Sequence, residues 1–170
     1  MKILGIDPGS TRIGYGIIET SPGRAGRDLS LIDYGVIEIK RKESKNLVAE
    51  AAAALSKLLK KHLPDLVGIE KLYFAKNVKT GIEVAQTRGA LILQANNASV
   101  PVLELSPSEV KLAVAGYGLA DKKSVAKMVG KILKLESLRG HDDASDALAI
   151  AITAFYKDKI NQRLGTTNSS

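Results

Sequence analysis

With 170 residues and a formal net charge of +7, the chain is long enough for one domain and basic enough to favour a polyanionic partner. It has no cysteine and only two histidines, which excludes disulfides, thiolate zinc sites, a cysteine nucleophile and a histidine-rich metal centre. No apolar run approaches the ~18 residues of a membrane helix, and a start with no signal-peptide pattern leads us to expect a cytoplasmic protein.

In chain order, Ile3, Leu4 and Ile6 predict a first strand that runs out at Asp7. Pro8 and Gly9 turn the chain into a second strand over 14–18. Residues 21–28 carry a loop signal, and 31–39 alternates as a third strand, which completes an antiparallel meander. A helix is predicted over 43–62, with Leu47, Ala51, Leu55, Leu58 and Leu59 on one face and Pro64 stopping it. A fourth strand over 66–72 carries Glu70; a helix over 78–97 and a fifth strand over 100–105 follow.

Ser106-Pro107-Ser108-Glu109 has the form of a capped helix start, with Glu109 at the capping-box position. That helix ends near Ala115, another covers 122–135, and a last one covers 142–156. Residues 1–157 therefore read as one domain, and 158–170 as a flexible tail. Right-handed parallel crossovers place the fourth strand beside the first. The expected fold is α/β: a mixed five-stranded sheet, strands 1–3 antiparallel and 4–5 parallel to strand 1, flanked by helices.

Two phrases echo each other. Leu4-Gly5-Ile6-Asp7 returns as Val67-Gly68-Ile69-Glu70, each an apolar strand that ends on an acid. An ionised carboxylate at the mouth of a buried strand is costly to desolvate unless a cation meets it. In both copies a glycine stands two residues earlier on the same face, leaving room for close approach. Asp143 and Asp146 are three apart at the start of the last helix and share one face. Acids in a first turn also suit the helix N-terminus, which is explanation enough for Asp142 but not for Asp146, one turn in.

Together, Asp7, Glu70, Asp143 and Asp146 form a set of like charges that repels itself without cations. Oxygen-only ligands point to Mg²⁺ or Mn²⁺. Two such ions about 3.5–4 Å apart would activate a water and stabilise a leaving 3′-oxygen, so phosphodiester hydrolysis is the expected chemistry.

The chain resembles the RuvC family of Holliday-junction resolvases from Lys2 to about Tyr156. The resemblance rests on Gly5-Ile6-Asp7-Pro8-Gly9-Ser10, Ile69-Glu70, Ala75-Lys76-Asn77, Arg88-Gly89 and the run from Asp143 to Ala151. It implies an RNase H-like fold and four catalytic, metal-binding acids at Asp7, Glu70, Asp143 and Asp146. Some family members have His at the third of these positions; here it is Asp143, so His141 inherits no role.

The resemblance also implies that Tyr73, three residues after Glu70, inserts into the opened junction. Stacking on a base is worth roughly 1–3 kcal/mol. Lys111 and Lys122 match basic positions near the scissile phosphates, and Lys76 is a further DNA-binding candidate. Four-way junction DNA, a homodimer and the RuvA–RuvB branch-migration complex are the implied partners. Paired cuts call for two sites related by a two-fold axis, and the 78–97 helix, with few charges, is the candidate dimer face.

Three rivals stand beside this reading. The first loop also resembles the phosphate loop of actin-like ATPases and sugar kinases, which need two such domains. A non-catalytic junction binder would be expected to avoid clustered acids. An RNase H homologue acting on RNA or another branched substrate is the third.

Overall fold

The structure, a computed structural model, describes residues 1–23, 26–39, 46–72, 78–136 and 142–167. Its centre is a five-stranded sheet in the order β3-β2-β1-β4-β5. Strands β1 (Lys2–Asp7), β2 (Arg12–Gly23) and β3 (Gly26–Glu38) form an antiparallel meander. Strands β4 (Leu66–Glu70) and β5 (Val102–Leu105) run parallel to β1. This is the expected mixed sheet, with β4 beside β1.

Within the meander, the turn region differs from expectation. The span 21–28 is no open loop: β2 and β3 stay paired through Ser21↔Asp28 and Pro22↔Arg27 to Gly23↔Gly26. Once two strands lie antiparallel, continued pairing satisfies backbone groups that would otherwise need water. The proline falls at the end of its strand, where such a residue is tolerated.

Among the described residues, five helices complete the fold. Helix α1 (Leu47–His62) is capped by Asn46, whose side chain accepts from the Ala49 N–H, and it ends on Leu63 in the left-handed conformation just before Pro64. Its expected start at 43–45 lies outside the described residues. Helix α2 spans Val78–Asn97, as expected. The capping box of α3 (Pro107–Ala115) is present in both directions between Ser106 and Glu109. Helix α4 spans Lys122–Ile132 with Asp121 as its cap.

Helix α5 runs from Asp142 to Thr167. The expected flexible tail from residue 158 is thus helical through Thr167. No proline interrupts 157–164, and Gln162 donates to Asp158 one turn earlier, so local propensity carries the helix past the body of the domain.

Strand alternation decides which side chains meet which helices. Leu4, Ile6, Val67 and Ile69 face one way and pack with Ala51, Leu55 and Leu59 of α1 and Leu91 and Ala95 of α2. Ile3 and Leu66 face the other way, into a core with α3, α4 and the Leu148–Phe155 part of α5. Gly5, Asp7, Gly68 and Glu70 share that second face by the same alternation. There the sheet has glycines where α5 crosses: a Cβ on Gly5 would lie 2.0 Å from the Ala147 carbonyl oxygen, and one on Gly14 would lie 2.1 Å from that of Asp143. Helix α5 therefore rests backbone against sheet, sandwiched under α3 and α4.

Candidate active site

Asp7 and Glu70 are the last residues of β1 and β4, one step beyond the paired Ile6 and Ile69. They stand side by side on the face that α5 covers, as the sequence echo predicts. Asp7 is also the register partner of Gly14 on β2, and it is over Gly14 that the Asp143 main chain sits. The close seating of α5 thus delivers its first two turns, with Asp143 and Asp146, to the ends of β1 and β4.

A cleft of about 310 Å³ opens there, lined by Asp7, Glu70, Asp146, Lys111, Lys122 and the apolar flanks of α3, α4 and α5. Asp146 Oδ2 accepts from Lys122 Nζ at 2.8 Å. Asp143 is not part of the lining. Its carboxylate pairs with Arg12 at 2.8 Å, just outside the cleft.

Burial, then the charges of Glu70, Asp146 and Asp143, push Asp7 up from the usual carboxylate range to about 7, against the opposing pull of Lys122. Glu70 is raised as well, by burial first and then by Asp146, with Lys122 and Lys111 acting against the shift. Lys122 is raised by its hydrogen bond to Asp146. The negative charges around Asp7 and Glu70 therefore make these two carboxyls harder to ionise.

A cleft whose donors are all carboxylate oxygens suits a hard divalent cation, which would relieve that mutual repulsion. Among the described residues, no three Asp, Glu or His side chains stand close enough to hold one ion as they are. The reason is visible in the two ion pairs: Asp143 is turned to Arg12 and Asp146 to Lys122. The donor chemistry fits an ion, and the two basic partners are what would have to yield to it.

Of the residues singled out from the sequence, Asp7, Glu70, Asp146, Lys111 and Lys122 meet in the cleft, and Asp143 stands at its edge. Tyr73, Lys76 and His141 lie outside the described residues. Two arginines were given no role in the sequence. Arg12 opens β2 and pairs with Asp143. Arg88 reaches from α2 to the Glu70 main chain. Helix α2 carries few charges, and a lone arginine in its middle was the available signal for the second.

Comparison with known proteins gives consistent matches. Residues 3–154 match the family model for the crossover junction endodeoxyribonuclease RuvC. A protein of that name from Syntrophomonas wolfei is 42% identical over 165 residues, covering 96% of this chain and 94% of the relative. A Thermus thermophilus RuvC structure matches with a TM-score of 0.86 at 32% identity, covering 95% of this chain and 97% of that one. A T. thermophilus RuvC structure in complex with a Holliday junction substrate matches with a TM-score of 0.83 at 29% identity, covering 94% and 96%.

Proposed function

Because the chain belongs to the RuvC family of crossover junction endodeoxyribonucleases, we propose that it resolves four-way DNA junctions by metal-dependent hydrolysis of two symmetry-related phosphodiester bonds. The observation that carries this reading is the meeting of Asp7 and Glu70, at the ends of adjacent parallel strands, with Asp146 in one basic-rimmed cleft. Asp7 and Glu70, half-buried and with raised proton affinity, have no packing purpose there.

Asp7, Glu70, Asp143 and Asp146 are the residues that would hold Mg²⁺, with Mn²⁺ as a substitute. Bound divalent ions supply an activated water and charge stabilisation at the leaving oxygen. The chain itself orients the phosphate. Lys111 and Lys122 line the same cleft as the acids and offer positive charge to a DNA strand entering it. The cleft is walled by Val110, Val125 and Ile150, which limit water on its inner side. Tyr73 and Lys76 follow Glu70 closely in sequence and are assigned to the junction strands on the family resemblance.

Paired cutting requires a homodimer, and α2 offers the face for it. Ile82 and Leu93 are 50% and 60% exposed, with the exposed Gly89 between them on the same side of the helix. A RuvA–RuvB branch-migration complex is the further partner, and the cytoplasm the proposed location. Among the described residues no helix is long and apolar enough to cross a membrane.

The test is incubation of the full chain with a synthetic four-way junction or a matched linear duplex, with and without Mg²⁺, beside the Asp7→Asn variant. We expect Mg²⁺-dependent paired nicks in the junction alone, and an Asp7→Asn protein that binds the junction but does not cut it. Cutting by Asp7→Asn at the wild-type rate would remove Asp7 from the mechanism.

A further inference from the structure

Glu70 is the last residue of its strand, so something other than the β1–β4 ladder must hold the chain as it leaves. Both polar groups of the Glu70–Lys71 peptide are taken. Its carbonyl oxygen accepts from Arg88 Nε at 2.8 Å, and its N–H donates to the Leu105 carbonyl oxygen at 2.7 Å. A second guanidinium nitrogen of Arg88 meets the carboxylate of Glu104, which pairs across β4–β5 with Ile69. The Arg88 side chain is only 16% exposed, so little water competes for those donors. A planar fork serves two acceptors in fixed directions, as a lysine ammonium on a flexible stem does not.

We propose that Arg88 is a positioning residue for Glu70. By locking the peptide that follows Glu70, it sets the direction in which the Glu70 carboxylate enters the cleft, and it does so from α2, an element that does not line the cleft. The proposal rests on the reading of that cleft as a metal-dependent nuclease site. Outer partners of this kind, which orient a ligand without touching the ion, typically matter by 10- to 100-fold in affinity or rate.

The experiment compares Arg88→Gln, Arg88→Lys and Glu104→Gln with the wild-type full chain. Mn²⁺ binding without DNA is read by electron paramagnetic resonance, junction affinity in Ca²⁺ by anisotropy, single-turnover cutting in Mg²⁺ by gel, and folding by thermal melting. Arg88→Gln should cut roughly 10- to 100-fold more slowly and bind Mn²⁺ more weakly by a similar order. Its junction affinity should stay near wild type. Arg88→Lys should recover part of the loss, and Glu104→Gln should lose less than Arg88→Gln, because the bond to the Glu70 carbonyl survives.

Wild-type Mn²⁺ affinity and cutting in Arg88→Gln would overturn the proposal. So would a lowered melting temperature, equal in Arg88→Gln and Glu104→Gln, with Mn²⁺ affinity untouched, since that is the behaviour of a structural strut. If the wild type fails to cut junctions while Arg88→Gln still weakens Mn²⁺ binding, the nuclease reading falls and the positioning role stands.

Discussion

The α carbon of Gly5 faces the Ala147 carbonyl so closely that a methyl group there would sit 2.0 Å from the oxygen. Backbone opposes backbone at this point, and no rotamer change can relieve it. With Gly14 under Asp143, Gly5 sets the depth at which α5 lies on the sheet, and hence where its two acids arrive.

Gly5→Ala should therefore lift α5 and cost roughly 2–4 kcal/mol of stability, at the upper end of ordinary core overpacking. Gly130→Ala in α4 is the control: its new methyl would come no nearer than 3.8 Å to the Leu135 carbonyl oxygen, an ordinary contact. Removing a helical glycine should leave stability unchanged or raise it by up to about 1 kcal/mol. Urea unfolding of both variants decides the matter; equal effects would mean that the helix seat is soft.

The proton affinity of Asp7 makes a prediction about pH. Its carboxyl titrates near 7 when folded, against a reference of 3.8. Between those values the folded state binds more protons than the unfolded one, so this group's contribution to stability is full below about pH 4 and is lost as pH rises through 7. Without divalent ions, wild type should lose stability relative to Asp7→Asn between pH 5 and pH 8. The variant should be the more stable at pH 8, by roughly 1–3 kcal/mol. Melting both proteins in a chelator across that range is the check. A wild type that gains on the variant as pH rises would show that Asp7 is not held against ionisation.

Glu109 presents the opposite sign. Hydrogen bonds from Lys157 and from Ser106 hold its carboxyl down to about 2. That contribution is present above about pH 4.5 and is lost as pH falls through 2. The pair lies near the surface, with side chains 34% and 39% exposed, so screening limits it to about 0.5–1 kcal/mol. Glu109→Gln can keep the capping hydrogen bonds but not the ion pair with Lys157. Its deficit against wild type should be measurable at pH 7 and vanish near pH 2 in chemical denaturation.

Much of this architecture was legible because alternation and like charge leave strong marks. Asp7 and Glu70 at strand ends, each with a glycine two residues before, announced both the pairing of β1 with β4 and a face open to close approach. The capping box at Ser106 was equally local. The ion pairs of Arg12 with Asp143 and Lys122 with Asp146 were not legible, since they join residues 131 and 24 positions apart and depend on how deep α5 sits. The reach of Arg88 to a main-chain carbonyl is marked in the sequence by no more than a lone arginine in a helix with few charges. The α5 extension was not legible, because a polar end from Gly165 reads as a tail and the apolar Ile160 and Leu164 before it stay exposed.

DNA binding should follow the charge of the cleft rim. Junction affinity should fall steeply with salt as phosphates release counterions. Lys111→Ala should lower the slope of log K against log [salt] by about one, with the same loss for every junction sequence. Anisotropy titrations over a range of salt concentrations read this directly, and an unchanged slope would take Lys111 off the phosphate path.

The β2–β3 ribbon outruns its neighbour. Pairing of β1 with β2 stops at Lys2↔Glu19, while β2 and β3 continue for four more rungs to Gly23↔Gly26. Gly23 lies nine positions along the strand from Gly14, the partner of Asp7, so the ribbon's far end stands roughly 30 Å from the cleft at ~3.3 Å per residue. That end is a handle. A dye or surface tether placed near Ser21 or Asp28 would report on single molecules while leaving the cutting edge free.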